Sequence, residues 1–506
     1  MNLRTFICAF FLLCFGSGCT NPTEETLPNV VIIYADDMGY GDLSIQNAES
    51  RIPTPNLDQL AKQGIRFTDG HSSSGICSPS RYALLTGRYH WRKMHGIVQS
   101  FGPPVIDEAR LTMPEMLQRK GYRTACIGKW HLGWNWNFQS EPTGEGTQFG
   151  RDVKYYKSDE IDWETPITGG PLSHGFDYYF GDDVPNFPPY TFIENDRVLE
   201  IPYTDIDIRE QIPEGSWEAR LGPMVEGWKF KEVMPAITAK AVEWIHQQKT
   251  KEGPFFLYFP LTAPHAPIIP SDAFIGKSQA GPYGDYVFQC DWSAGQVLEA
   301  LEENGFSDNT IVIFTSDNGP ERYAYDRILN FEHRSMGPLR GLKRDIWEGG
   351  HRVPFIIRWP DVVEPGRISN ETISQIDLMA TIAAVIGYEL PSEAAEDSYN
   401  LLPLLKADPK AINIREATVQ NTQKDKYAIR KANWLLIDAP SGGVSRIPEW
   451  FDEKYNYEEN SLPGELYDLS QDISQQHNLF GQYPEKITEL RTLLKRYQTL
   501  GRSVAR

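Results

Sequence analysis

Val30-Val31-Ile32-Ile33-Tyr34-Ala35, followed at once by Asp36-Asp37, is the stretch on which the fold turns. It is too short for an ordinary helix and shows no polar alternation, so it reads as a strand buried on both faces, the kind found in parallel sheets. Such a strand needs neighbours of its own kind. The chain supplies apolar runs at 122–127, 255–259, 310–315 and 355–357. Helical patterns lie between them. Leu57, Leu60 and Ala61 are closed by Gly64, and 235–249 carries Ile237, Ala241 and Ile245 at i, i+4 spacing behind Pro235. Residues 287–303 end at Gly305 and 378–386 at Gly387. Strands alternating with helices predict an α/β protein with a large, mostly parallel central sheet flanked by helices. Residues 134–233 read as a loop-rich insertion.

Further outward the pattern changes. After about Leu405 come short strands at 417–420, 427–431, 434–437 and 465–469, then a helix over 486–500. This predicts a main domain over 29–405 and a smaller C-terminal α+β domain over 406–506. At the other end, a basic start, an apolar run over 5–15 and Gly16-Ser17-Gly18-Cys19 predict a signal peptide over 1–18, too short to span a bilayer. Small residues before a cysteine predict an exported bacterial lipoprotein, periplasmic or on the outer membrane, lipidated at Cys19 and touching the membrane only through that anchor. The 506 residues hold 49 Lys+Arg against 68 Asp+Glu, a net charge of −19, which excludes nucleic acid as a partner and a general polyanion-binding surface. An anionic substrate must be gripped by a local cluster of cations. Of six cysteines, only Cys77, Cys126 and Cys290 lie beyond Cys19, so at most one disulfide forms. Cys126 and Cys290 fall at core positions; Cys77 lies in a polar segment.

The polar residues gather where the apolar runs stop. One run leads into Asp36-Asp37 and another into Ser316-Asp317-Asn318-Gly319, while two more lead into Gly128-Lys129-Trp130-His131 and Ala263-Pro264-His265. Open α/β sheets bind ligands outside the carboxyl ends of their strands, so these groups are expected to meet at one edge. Two like charges 4 Å apart cost about 4 kcal/mol at an effective dielectric near 20, so three carboxylates there call for a hard divalent cation with oxygen ligands. Ca²⁺ is the first choice and Mg²⁺ the second. In Gly75-Ile76-Cys77-Ser78-Pro79-Ser80-Arg81, Pro79 suits a first helical turn, which places Cys77 at a helix start with Arg81 one turn on. A helix start suits either an anion site or a thiolate of lowered pKa. Lys129 and Lys343 read as further anion clamps, and Gly349-Gly350 as a close backbone approach.

These blocks carry a resemblance. Cys77-Ser78-Pro79-Ser80-Arg81 with Leu85-Thr86-Gly87-Arg88 resembles the signature of the formylglycine-dependent (type I) sulfatases of the alkaline phosphatase superfamily, among them exported bacterial polysaccharide sulfatases. Asp36-Asp37, Gly128–Gly133, Ala263-Pro264-His265, Ser316–Gly319, Gly341-Leu342-Lys343 and Trp347–Gly350 follow in the family's order, while 322–340 and 134–233 do not map onto it. The resemblance implies an alkaline-phosphatase-like fold and a sulfuric ester hydrolase. It implies that a formylglycine-generating maturation enzyme oxidises Cys77 to formylglycine (3-oxoalanine), which hydrates to a gem-diol nucleophile. Asp36, Asp37, Asp317, Asn318 and modified Cys77 would hold Ca²⁺. Arg81 and Lys129 would hold diol and sulfate, His131 would be the base that releases sulfate, and His265 with Lys343 would protonate the leaving oxygen. The two histidine roles are interchangeable on the sequence.

The expected substrate is a sulfated carbohydrate, either a glycosaminoglycan or an algal polymer such as ulvan or carrageenan. The acidic body favours a pocket for one sulfated residue over a long basic groove. Trp134 and Trp136 are candidates to stack on sugar, and His174, His333, Arg334 and Arg344 are further pocket candidates. The competing readings are a phosphonate or phosphate ester hydrolase on the same scaffold and a non-catalytic glycan-binding lipoprotein.

Overall fold

The computed structural model describes residues 27–204 and 214–504; the signal-peptide and Cys19 expectations lie outside them. The expected sheet is present, with ten strands in the order Arg367–Ser369, Ile65–Phe67, Phe355–Arg358, Thr310–Ser316, Asn29–Ala35, Phe255–Pro260, Arg123–Ile127, Tyr178–Gly181, Ile193–Glu194 and Arg197–Val198. Its middle is parallel. Asn29–Ala35 pairs with both Thr310–Ser316 and Phe255–Pro260, and Arg123–Ile127 continues the set. Every residue of Asn29–Ala35 is buried, because helices cover both faces. Val30, Ile32 and Tyr34 pack on one side with Leu84, Met116 and Leu378. Val31, Ile33 and Ala35 pack on the other with Leu57, Ile237 and Cys290.

Three details depart from expectation. Phe355–Arg358 runs antiparallel to Thr310–Ser316, since an apolar run fixes burial but not direction. The region 134–233 is more than loop. Tyr178–Gly181 adds a parallel strand beside Arg123–Ile127, and Gly144–Gln148 with Arg151–Tyr155 forms a hairpin. The long helix also begins earlier, at Gly281–Glu303, with a proline in its first turn.

A second, antiparallel sheet of Thr418–Gln423, Lys426–Lys431, Trp434–Ile437 and Glu465–Asp468 makes a smaller C-terminal region, on which helix Pro484–Leu500 lies. Its apolar face shares a cluster with Ala83 and Ile376 of the main body. Cys77, Cys126 and Cys290 are all free and buried. No helix among the described residues is long and apolar enough to cross a membrane.

Candidate active site

The central strands end side by side, with Ala35 level with Ser316, Tyr34 with Pro260 and Tyr258 with Cys126. The chain leaving each one is laced to the next. The Asp36 amide donates to Ala263 O at 3.1 Å, that of Asp317 to Ala35 O at 3.0 Å and that of Lys129 to Pro260 O at 2.8 Å. This lacing puts Asp36, Asp37, Asp317, Asn318, Lys129 and His265 at one edge. Over them sits the start of helix Cys77–Thr86, whose first residue is Cys77 and whose last turn is closed by Gly87 at φ 63°. All ten residues of this helix are buried.

Each carboxylate meets a cation. Lys129 Nζ donates to Asp36 Oδ2 at 2.6 Å, Lys343 Nζ to Asp37 Oδ2 at 2.7 Å, and Arg81 Nη2 to Asp317 Oδ2 at 2.8 Å. Asn318 Nδ2 donates to Asp37 Oδ1 at 2.7 Å, and the Asp37 amide to Asp317 Oδ1 at 3.1 Å. His265 Nε2 lies 3.6 Å from Asp37 Oδ2. Its Nδ1 faces the Ala266 carbonyl, so the proton sits there and the lone pair at Nε2 turns toward Asp37 and Cys77. One donor atom from each of Asp36, Asp37, Cys77 and His265 falls within 4.8 Å of the others.

Burial penalises every charge here, and the neighbours decide which survive. Burial raises Asp36, yet Lys129, His265 and Arg81 hold its carboxyl well below the usual range. Burial wins at Asp37 despite Lys343, and at Asp317 it is reinforced by Asp36; both carboxyls are pushed up. The Cys77 thiol is raised by burial but pulled down by Lys129, Lys343 and a hydrogen bond with His265, and ends at about 6. Carboxyls pushed upward by burial, with repulsion from Asp36 added, are those a divalent cation would relieve. Asp36 Oδ1 and Asn318 Oδ1 are buried without a hydrogen-bond partner, so two oxygen acceptors are left over. An all-oxygen set of this kind fits Ca²⁺ or Mg²⁺. The buried cluster of His71, Glu348 and His351 does not, because Arg352 and Arg430 already neutralise its one acid, Glu348, at 3.1 and 3.4 Å.

The remaining expected residues divide. His131 flanks Lys129, with its amide donating to Asp183 Oδ1 at 3.1 Å and its Nε2 to Val98 O at 3.0 Å. Its Nδ1 has no partner, and burial with Lys129 and Arg81 holds the ring well below its usual pKa, hence neutral. Arg344 reaches the rim, where it forks onto Glu321 at 2.8 and 2.6 Å. Trp134, Trp136, His174 and His333 are not brought to the cluster. Trp134 lies against Tyr179 and Trp136 against Phe101 and Trp163. His174 is stacked on Trp130, and His333 donates to Asp42 at 2.8 Å in the interior. Arg334 lies over Tyr455 in the C-terminal region. Aromatics beside a site motif look the same in sequence whether they face the pocket or the core.

Two carboxyls escaped the sequence reading. Glu321 follows Asn318 by three residues, a legible spacing. Glu218 belongs to the region 134–233, where no motif flags it. Burial, with Glu321 adding repulsion, raises Glu218 to about 8, and Tyr323 Oη donates to it at 2.9 Å.

Residues 28–388 match the sulfatase family. Among curated proteins, N-acetylgalactosamine-6-O-sulfatase of Bacteroides thetaiotaomicron is 36% identical, covering 95% of this chain and 94% of its own. Human N-acetylgalactosamine-6-sulfatase is 34% identical over 77% of this chain and 67% of its own. A solved Bacteroides thetaiotaomicron structure, described with the metabolism of multiple glycosaminoglycans, superposes with a TM-score of 0.78 at 33% identity, covering 94% of this chain and all of that one. With the family matched from the first strand to the helix after the last, the chain belongs to the formylglycine-dependent sulfatases and is an enzyme that hydrolyses sulfate esters.

Proposed function

We propose that this protein removes sulfate from a sulfated saccharide, with 6-O-sulfated N-acetylgalactosamine as the first substrate to try. Its nucleophile is a formylglycine made from Cys77, and its metal is Ca²⁺ held by Asp36, Asp37, Asp317 and Asn318 beside residue 77. The observation that carries the reading is the placement of Cys77. It stands at a helix start, drawn down by Lys129, Lys343 and His265 within an otherwise acidic protein. The named activity of the Bacteroides and human relatives supports the choice of sugar.

Oxidation of Cys77 by a separate maturation enzyme, then hydration, gives a carbon with two hydroxyls. One would attack sulfur as the ester S–O bond breaks; the other would give its proton to His131, expel sulfate and restore the aldehyde. Bound calcium would ease deprotonation of the attacking hydroxyl and offset charge on the sulfate oxygens. Lys129 and Lys343 bring two ammonium groups to the sulfate. Arg81 is committed to Asp317 and the Lys129 carbonyl, so it positions the carboxylate beneath. His131, neutral and with a free lone pair at Nδ1, is the base for sulfate release. His265, with its lone pair at Nε2, would take the proton of the attacking hydroxyl and, assisted by Lys343, return it to the leaving sugar oxygen. We extend the reading to an exported lipoprotein anchored at Cys19, with a catalytic domain over 29–405 and a smaller domain over 406–506. The mass of the N-terminal peptide tests the anchor.

The deciding experiment compares turnover of p-nitrophenyl sulfate with the matching phosphate and phosphonate esters, then assays defined sulfated saccharides. Faster turnover of sulfate, and release from the 6-position of N-acetylgalactosamine, is expected. A higher rate on phosphorus would sink the assignment, and an intact thiol at Cys77 in active material would sink the mechanism.

A further inference from the structure

On the far side of Phe187 from His131 lies a cavity of about 330 Å³ that the mechanism above does not use. It is walled by the Gly144–Gln148/Arg151–Tyr155 hairpin and by the segment around Gln99. Two lines of contact run from it toward residues of the centre. On the His131 side, Arg220 lines the cavity and lies over Phe187 at 3.4 Å, and the Phe187 ring meets His131 edge-on at 5.3 Å. Arg220 Nη1 also donates to Gln99 Oε1 at 2.8 Å, next to the Val98 carbonyl that orients His131. On the Lys343 side, Phe149 of the lining meets Trp217 at 5.5 Å, and Trp217 meets Tyr323 at 6.0 Å. Tyr323 in turn holds Glu218, which feels the charges of Lys343 and Asp37. The nearer line leaves a single ring, Phe187, between Arg220 on the cavity wall and His131 of the centre.

The chemistry of the walls is selective. Phe149, Tyr155 and Tyr156 supply rings, Lys154 and Arg220 supply positive charge, and no Asp or Glu is among the described lining residues. Neither cation has a carboxylate within ion-pair distance among the described residues, although the chain as a whole carries a net charge of −19. Rings with cations and no acids suit a sugar that bears an anion. The volume lies within the roughly 300–1,000 Å³ range of small-ligand sites. We infer that this cavity is a subsite for the saccharide unit next to the sulfated one, and that this unit carries a carboxylate or a second sulfate. The inference rests on the carbohydrate-sulfatase reading and specifies its substrate as an acidic chain of at least two units.

The test is the ratio of kcat/KM on a sulfated disaccharide to that on the sulfated monosaccharide. Three disaccharides are used, whose second unit is a uronate, a sulfated sugar or a neutral sugar. The wild type is expected to favour an acidic second unit by roughly tenfold, as one charge-assisted contact gives. The uronate and sulfated arms show which anion is preferred. Lys154→Met, at an exposed position, and Arg220→Met should each pull that ratio toward the neutral-sugar value. An unchanged ratio in Lys154→Met, or no acidic preference in the wild type while p-nitrophenyl sulfate is turned over, overturns the subsite alone. No turnover of any sulfate ester overturns the sulfatase reading with it.

Discussion

At the residue scale the proposed chemistry rests on Cys77 and His265. Serine differs from the proposed hydrated formylglycine by one hydroxyl, so Cys77→Ser should keep the fold but supply one hydroxyl where release needs two. Its melting curve is expected to overlay the wild type while turnover falls to background; residual multiple turnover would argue for a different nucleophile. His265 points its free Nε2 at Cys77 and Asp37. In the proposed role, passing the proton from the attacking hydroxyl to the leaving group, it would matter most when the alcohol is poor. His265→Ala should cost roughly 10²–10⁴-fold on a sugar sulfate, the usual range for a general acid, and far less on an activated aryl sulfate. Equal losses on both would move the acid role to Lys343.

Elements meet here by backbone contact, with no room for a side chain. A Cβ on Gly319 would lie 1.9 Å from Gly349 O, and one on Gly350 would lie 2.1 Å from Asp345 O. The turn bearing Asn318 and the turn after Lys343 are thus pressed together, as the paired glycines suggested. Gly319→Ala should separate them, at about 1–3 kcal/mol of stability as for other overpacked sites. Urea unfolding gives the loss, and activity should fall further than stability because Asn318 and Lys343 move apart. The same elements show what sequence can reveal. Val30–Ala35 and its parallel neighbours were legible because two-sided burial leaves an unbroken apolar run, and the residues at their ends were legible as motifs. Tyr178–Gly181 was hidden because four residues among glycines, prolines and acids carry no period. Glu218 was hidden because its role depends on Glu321 and Tyr323, about a hundred residues away, which local spacing cannot encode. Trp134 and Trp136 misled because adjacency to His131 says nothing about which way a ring turns.

At the scale of the whole molecule the two sheets are locked together near the site. Arg430 of the C-terminal sheet pairs with Asp69 at 2.7 Å, Trp347 Nε1 donates to Glu465 at 2.6 Å, and Ser74 Oγ donates to Asn421 O at 2.8 Å. Interior histidines add a pH dependence. Burial pushes His174 down to about 4, against about 6.5 for an unfolded histidine. Between those values the unfolded chain binds the extra proton, so this group favours unfolding progressively as pH falls from about 6.5 to about 4. His174→Gln should therefore lose less Tm than the wild type when both are taken from neutral pH to about pH 5. Parallel curves would show that His174 is free to protonate in the fold.

The Ser74–Asn421 bond carries an implication about timing. The segment 72–81 is buried throughout and fastened from behind by a strand that emerges from the ribosome more than three hundred residues later. Another enzyme cannot grip a stretch of chain already enclosed in this way. If Cys77 is the proposed formylglycine precursor, its oxidation is expected to precede folding, while the polypeptide is still extended. Purified folded protein with an intact thiol should stay inactive when mixed with the maturation enzyme, whereas a short peptide spanning the same segment should be converted.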